Sequence, residues 1–308
     1  MTALLLLPLL LPIALPALAR RALDRLAPVA ALWAVTASTV VLAGCSLAAL
    51  GSFVLIGLLK VPLFAAVGQL IHPLRTASDL VVLPAAATSV GALAVCGWTL
   101  VRSVLHQTRA FRAARTQAGR GPSAGDLCVV DSPRPDAYAL PGRPHRIVVT
   151  TAMLRSLDGP EREALFAHER AHNDGRHHYF LAAAELAAHC HPALRPVRGS
   201  IRLAAERAAD EAAATRVGDR RLIARAIARA ALAGHAARSE RPDFAPAATT
   251  GPVPQRVQAL LAAPRVPRAG RTIAGLLIAC TAVSCAASAV GMADFHHRVE
   301  VAQGDEGP

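Results

Sequence analysis

The sequence predicts an α-helical membrane protein with four transmembrane helices and one polar domain of mixed α and β structure on the cytoplasmic side. Three observations lead to this fold class. Four stretches are apolar enough to cross a bilayer, arginine is unevenly distributed between the segments that join them, and a long polar segment separates the third stretch from the fourth. The chain has 308 residues, of which 53% are hydrophobic, and its mean hydropathy is +0.37.

The apolar stretches define the predicted spans, since about 20 mainly apolar residues are needed to cross a bilayer. They cover residues 2–19, 30–59, 80–101 and 272–293. The first stretch is similar to a signal peptide in length. A signal peptide, however, carries positive charge before its apolar core, and here Arg20, Arg21 and Arg25 follow it. We therefore predict a retained helix, with three spans inside residues 1–102.

The arginines predict the orientation, because basic residues concentrate on the cytoplasmic side of spans. Five arginines between 102 and 120 follow the third span, and Arg265, Arg268 and Arg271 precede the fourth. We predict an integral protein of the plasma membrane with its N-terminus outside. The polar domain, residues 103–271, then faces the cytoplasm, and residues 294–308 form a short extracellular tail.

Charge and cysteine content exclude some classes and leave others open. The net charge is +12, and Lys60 is the single lysine. No basic patch interleaved with aromatic residues is present, so we expect no direct nucleic-acid binding. None of the six cysteines forms a C-x-x-C pair. Four lie in apolar stretches as small hydrophobic residues, and Cys128 and Cys190 remain open to either a disulfide or two reduced thiols.

The polar domain is predicted to contain both strands and helices. Residues 111–126 read as a basic linker, followed by a short strand from Leu127 and a strand pair at 137–140 and 146–150. A helix is predicted to start after Asp158 as N-cap and to stop at Gly175. Three further helices follow, and a proline-rich loop at 241–255 leads to a short helix and the last span. The domain is therefore α+β and mostly helical.

The first helix of this domain carries a metal-binding pattern. His168 and His172 are four residues apart and share one helical face, so both imidazoles can bind one cation. Glu169 lies beside them, completing the H-E-x-x-H arrangement of two zinc ligands and a carboxylate that acts as general base. Zinc would acidify a water and polarise a scissile carbonyl, and Glu169 would take the proton and pass it to the leaving amine.

A catalytic zinc ion usually takes a third protein ligand and keeps one open position. The downstream candidates are His177, His178, Glu185, His189, His191, Glu206 and Glu211. Glu206 and Asp210 are four residues apart on one helical face, so Glu206 can bind the metal while Asp210 supports a ligand histidine. The alternative is a solvated acidic face paired with Arg202 and Arg207, and spacing does not decide between the two. His177 and His178 follow Gly175, and we expect surface or capping roles for them; hydrogen bonding to the transition state near the site is the alternative.

The sequence resembles a known family over most of its length. H-E-R-A-H at 168–172 and E-R-A-A-D at 206–210 are similar to the gluzincin pattern of zinc peptidases. Three spans, a zinc domain and a fourth span are similar to the BlaR/MecR antirepressor metallopeptidases, peptidase family M56. The resemblance implies a gluzincin-like peptidase domain with His168, His172 and Glu206 as metal ligands, Glu169 as the catalytic base and Asp210 behind a ligand. BlaR and MecR carry a penicillin-binding sensor domain after the last span, and we expect a short member without it.

These observations predict a membrane-embedded zinc endopeptidase with one Zn²⁺ per chain. Its predicted partners are the lipid bilayer and a cytoplasmic protein substrate, for example a winged-helix transcriptional repressor in a signalling pathway. One alternative is a membrane quality-control protease of the HtpX or CAAX-protease kind. Another is a non-catalytic receptor or scaffold with a structural zinc site, although such a site has no need of Glu169. A zinc transporter is disfavoured, because no span carries His, Asp or Glu in its middle.

Overall fold

The computed structural model describes residues 2–61, 63–64, 79–120, 122–234, 252–262 and 270–304. Most of the segment between the second and third predicted spans, most of the proline-rich loop, Arg265 and Arg268 lie outside these residues. All six cysteines lie inside them and all are free thiols, so the disulfide alternative for Cys128 and Cys190 is wrong.

The described residues contain four helices that are long and apolar enough to cross a membrane. The first span is built from α1 (Thr2–Leu10), a short 3-10 turn (Leu11–Ala14) and α2 (Leu15–Arg25), whereas α3 (Pro28–Leu58) and α4 (Asp79–Arg120) are continuous. The last helix of the chain, Gly270–Gln303, forms the fourth span. The prediction of four apolar helices is therefore confirmed, and the last one continues through most of the predicted tail.

The predicted basic linker is wrong, because α4 continues through it to Arg120. Its residues are mostly alanine, arginine and glutamine, which are good helix formers. Ala114 and Ala118 are buried against Cys128, Tyr138 and other side chains of the sheet. The third span and the start of the polar domain are therefore joined by one helix.

A four-stranded sheet follows α4, with strand order β1-β2-β4-β3. Its strands are β1 (Ser123–Ala124), β2 (Leu127–Val130), β3 (Ala137–Leu140) and β4 (Arg146–Thr150). β3 and β4 pair antiparallel, as the strand-pair pattern predicted, and β2 and β4 pair parallel. The buried side chains Ala137 and Val149 pack with Leu165 of the helix that carries the histidines.

Seven helices complete the fold. They are α5 (Thr151–Ser156), α6 (Gly159–Asp174), α7 (His177–Cys190), α8 (Val197–Val217), α9 (Arg220–Gly234), α10 (Val253–Leu261) and α11 (Gly270–Gln303). α7 and α8 form a hairpin through a 3-10 turn, Pro192–Leu194. The hairpin shares one apolar core with α2, α3 and α11, which includes Leu15, Leu42, Leu194, Ile201 and Leu277. Part of the predicted domain is thus packed directly against the candidate spans.

A capping box starts α6 at the predicted residue. The Asp158 side chain accepts from the Glu161 backbone N–H, and the Glu161 carboxylate accepts from the Asp158 N–H. Glu161 is fully buried and also accepts hydrogen bonds from Arg225 and Arg229 of α9, at 3.1 and 2.7 Å. Burial alone would raise the pKa of Glu161, but these donors outweigh it and lower the pKa below its usual value of 4.5.

Glu161→Ala is expected to destabilise the protein by about 2 kcal/mol, since it removes one half of the capping box and the acceptor for two partly exposed arginines. Because the folded pKa is lowered, the contribution of Glu161 is complete above the ordinary carboxyl pKa and disappears as pH falls through the lowered value. Chemical denaturation in detergent at neutral and acidic pH measures both effects. Glu163→Ala on the exposed side of α6 is the matched control, and equal losses for the two variants would contradict the assignment.

Candidate metal centre

The two histidines of the H-E-x-x-H motif face each other on one side of α6. His168 and His172 are each 1% exposed, and their Nε2 atoms lie 3.0 Å apart. This geometry follows from the four-residue spacing, which places both side chains on one helical face. The two nitrogens are therefore placed to bind one cation.

Glu206 of α8 offers a third candidate ligand atom. It is fully buried, and its Oε2 atom lies 3.5 Å from His168 Nε2 and 3.7 Å from His172 Nε2. Ligands at the zinc bond lengths of about 2.0–2.1 Å would be roughly 3.3 Å apart at a tetrahedral ion. The three atoms of this group, which all lie within 4.8 Å of one another, fit such an ion in spacing and in chemistry. The solvated-face alternative for Glu206 is wrong.

Asp210 lies one turn further along α8 and contacts the other side of His168. Its Oδ1 atom is 3.0 Å from His168 Nδ1, so it holds the ring with Nε2 turned toward the ligand cluster. Burial on its own lowers the pKa of His168, but the hydrogen bonds to Asp210 and Glu206 outweigh it and raise the pKa to about 9. The surroundings of this imidazole thus favour positive charge at the site.

His177 occupies the corresponding position behind His172, contrary to the surface or capping role predicted for it. Its side chain is 5% exposed, and its Nδ1 atom lies 2.8 Å from His172 Nδ1. Arg176 adopts a left-handed conformation with φ of 51°, which turns the chain directly from α6 into α7 and returns His177 to the site. Burial and the neighbouring His172 lower the pKa of His177 to about 3, so its ring is neutral and orients His172 by hydrogen bonding.

His177→Ala is expected to weaken zinc binding by about 10- to 100-fold, the usual effect of losing a residue that holds a ligand. His178→Ala is the matched control, because the adjacent ring is only half-buried and packs on Tyr179. Competition with a chromogenic chelator measures both affinities. Equal zinc affinity in the two variants would contradict the positioning role.

The remaining candidate ligands have other partners. Glu185 pairs with Arg198, Glu211 pairs with Arg220, and His189 lies 3.5 Å from Glu185. His191 accepts a hydrogen bond from Ala193 and caps the 3-10 turn. Among the described residues, the group that could hold a metal ion is His168, His172 and Glu206.

Glu169 is fully buried on the same helix, directly after the first ligand. Its charge contributes, with the larger contributions of Glu206 and Asp210, to the raised pKa of Arg256. A carboxylate beside a metal is the arrangement that moves a proton on and off a water molecule.

Arg256 of α10 is the site residue that the sequence analysis missed. It is fully buried, donates to both Asp210 oxygens at 2.9 and 2.7 Å, and lies 3.0 Å from Glu206 Oε2. Burial lowers the pKa of Arg256, but the two carboxylates outweigh it and raise the pKa above its usual value. The available signal was an arginine on the apolar face of a short amphipathic helix, four residues before the buried Leu260.

The charges of this cluster match a divalent cation. When the ligand histidines are neutral, as metal binding requires, Glu169, Glu206 and Asp210 supply three negative charges in their ionised form and Arg256 supplies one positive charge, which leaves −2 among these buried side chains. Uncompensated buried charge is strongly unfavourable. A zinc ion would offset the remainder, so the residues present fit the metal that the motif predicts.

Comparison with known proteins supports a metallopeptidase. Residues 107–194 match the model of peptidase family M48. The match includes the end of α4, the sheet, the H-E-x-x-H helix and α7, and it stops before Glu206 and Arg256. No curated protein and no solved structure matches the chain significantly.

The match and the four apolar helices together support a membrane metallopeptidase with a candidate metal site. They support the class that the sequence predicted. The matched family, however, is M48 and not the BlaR/MecR family M56 that the sequence resembled.

Proposed function

We propose that this protein is a membrane-embedded, zinc-dependent endopeptidase. The observation that carries the proposal is the buried group of His168, His172 and Glu206, with the Glu169 carboxylate beside it on the same helix. A structural zinc site is normally closed by four protein ligands. Among the described residues, three candidate protein ligands are brought together here. A set of three favours a catalytic site in which one coordination position of the metal stays open.

Each side chain has a distinct task in the proposed reaction. His168, His172 and Glu206 would hold the zinc ion, which would supply Lewis-acid polarisation of the scissile carbonyl and lower the pKa of the attacking water. Glu169 takes a proton from that water and returns it to the leaving amine nitrogen. Asp210 and His177 hold the two imidazole rings from behind, at 3.0 and 2.8 Å. Arg256 holds Glu206 and Asp210 in place and keeps both carboxylates ionised.

The site lies close to the start of the second span. The His177 ring contacts the Phe180 ring of α7. The Phe180 ring in turn packs edge-on against the Trp33 ring of α3, at 4.8 Å between centroids. Trp33 is near the first turn of α3 and 62% exposed, as is typical of a tryptophan at a membrane interface. A peptide segment at the membrane surface would reach this site from the side of the membrane on which the zinc-binding helices lie.

We further propose, from the arginine distribution, that this side is the cytoplasm of a plasma-membrane protein with its N-terminus outside. The proposed substrate is a cytoplasmic protein. The resemblance to BlaR/MecR supports regulatory cleavage, for example of a winged-helix repressor, and the family M48 match is equally compatible with quality-control cleavage of membrane proteins. A repressor gene beside the gene for this chain would favour the first.

Zinc content is the direct test of the site. Protein purified in detergent is expected to hold one zinc per chain, measured by elemental mass spectrometry. Glu206→Gln is expected to lose most of it, because an amide oxygen is a much weaker zinc ligand than a carboxylate. Glu163→Gln removes an exposed carboxylate from α6 and should keep the metal. Wild-type protein that binds no added zinc would contradict the proposal.

A further inference from the structure

The α7–α8 hairpin extends well past the zinc site, along the apolar part of the candidate spans. At its tip, the Cys190 carbonyl lies 3.6 Å from the Cys96 sulfur of α4, and the 3-10 turn Pro192–Leu194 contacts the 3-10 turn Leu11–Ala14 of the first span. Cys96 lies six residues before Arg102, and Leu11–Ala14 lies six to nine residues before Arg20. At 1.5 Å per residue, the tip reaches about 9–14 Å beyond the first arginines of those spans.

The hairpin carries an arginine-lined cleft at this depth. Arg195, Arg198 and Arg202 follow one face of the turn and of α8, with Glu185 of α7 opposite, around a cavity of about 400 Å³. Leu181, Ala184 and Gly199 complete the lining. Arg195 and Arg198 together carry more charge than the single carboxylate of Glu185, so the cleft is cationic.

The charges of the cleft are accessible. Arg198 donates to both Glu185 oxygens at 3.0 and 2.8 Å, yet its side chain remains 44% exposed. Arg195 is exposed as well, and it follows directly after the 3-10 turn at the tip of the hairpin. Exposed guanidinium groups in contact with acyl chains would be costly, so their positive charge needs an anionic partner at this depth.

The membrane itself supplies such a partner. Trp98 and Arg102, on the exposed side of α4, have the pattern of residues at a headgroup boundary, and Cys96 lies within one turn of Trp98. Arginine side chains can extend along apolar surface to reach that boundary. A planar guanidinium fork matches the oxygens of a phosphate, and several forks around one cavity match a single phosphate group.

We propose that the cleft formed by Glu185, Arg195, Arg198 and Arg202 is a binding site for the phosphate group of an anionic membrane lipid, in the leaflet on the side of the zinc centre. Glu185 competes with the lipid for Arg198. The site is independent of the peptidase reaction, and it would couple the hairpin that holds Glu206 to the lipid composition of that leaflet.

Native mass spectrometry of the delipidated full-length protein in detergent tests the proposal. The probes are phosphatidylglycerol, phosphatidylcholine, inorganic phosphate and a glutamate-rich peptide. We expect one retained phosphatidylglycerol per chain, bound about tenfold more tightly than phosphatidylcholine. Arg195→Gln with Arg198→Gln should remove this preference, and Glu185→Gln should strengthen binding because it frees Arg198. The opposite signs of the two changes separate a binding site from a structural role.

Arg216→Gln with Arg221→Gln is the matched control, since it removes the same charge from exposed positions outside the cleft. It should leave lipid binding unchanged, and circular dichroism should show equal helix content in all variants. Equal loss of phosphatidylglycerol in the control, or no loss in the cleft variant, would overturn the proposal. Binding of inorganic phosphate without the lipid would overturn the lipid source, and binding of the peptide alone would identify a protein-binding cleft in its place.

Discussion

Glu169→Gln is expected to abolish peptide-bond cleavage and to leave one zinc ion bound per chain. The amide has nearly the same size as the carboxylate but cannot take a proton from water, so the rate should fall by about a hundredfold to ten-thousandfold. Zinc should stay, because the proposed ligand atoms belong to His168, His172 and Glu206. Cleavage of an unstructured protein such as casein, or of the chain itself, measures the rate, and elemental mass spectrometry measures the metal.

The control for this substitution lies on the same helix. Glu163→Gln makes the identical chemical change at an exposed position of α6 and should alter neither cleavage nor zinc content. Unchanged cleavage by Glu169→Gln would remove Glu169 from the reaction. Loss of zinc together with cleavage would instead mean that Glu169 holds the metal site together, which would contradict its assignment as the base.

Arg256→Met is expected to cause the largest loss of stability. It leaves the buried Glu206 and Asp210 without the guanidinium that contacts both, at 3.0 and 2.7 Å. Removing one partner of a buried ion pair costs about 3–5 kcal/mol, because the remaining charge stays buried. Chemical denaturation of the metal-free protein measures the loss, and added zinc should reduce it by supplying positive charge to Glu206.

Two further variants separate charge from packing. Arg221→Met on the exposed side of α9 removes an arginine outside the site and should change stability by less than about 0.5 kcal/mol. Asp210→Asn combined with Arg256→Met removes one of the stranded charges and should recover part of the loss. A metal-free Arg256→Met protein as stable as the wild type would show that Arg256 is not the counter-ion of these carboxylates.

Local patterns explain why much of the fold could be predicted. The four apolar stretches correspond to four apolar helices, the β3–β4 pair follows from two short apolar runs around a Pro-Gly turn, and α6 begins at Asp158 and ends before Gly175. Each of these depends on residues close together in sequence. The continuation of α4 to Arg120 was missed because a charged, alanine-rich segment is compatible with a linker, and its burial against the sheet is a tertiary contact.

The residues of the candidate site also fall into two groups, those that local sequence predicts and those that only tertiary packing brings together. His168, Glu169 and His172 lie within one helical turn and a half, so their spacing alone predicted a shared face. Glu206 could be proposed from spacing and resemblance, but only the packing of α8 on α6 shows that its carboxylate is buried beside both imidazoles. The roles of His177 and Arg256 in the site could not be identified from spacing or resemblance. His177 returns through the left-handed turn at Arg176, and Arg256 comes from a helix far along the chain.

The sequence by itself determined the apolar helices, the histidine pair on one face of α6 and the glutamate beside it, because each is encoded by a periodicity or a short motif. Only the tertiary structure decided how the charges of the site are balanced and where the site lies. Arg256 and His177 become part of it because buried polar groups must find partners wherever the chain brings them together. The α7–α8 hairpin packs against the spans because its apolar face is buried there, and its contacts with α2 and α3 join segments more than a hundred residues apart.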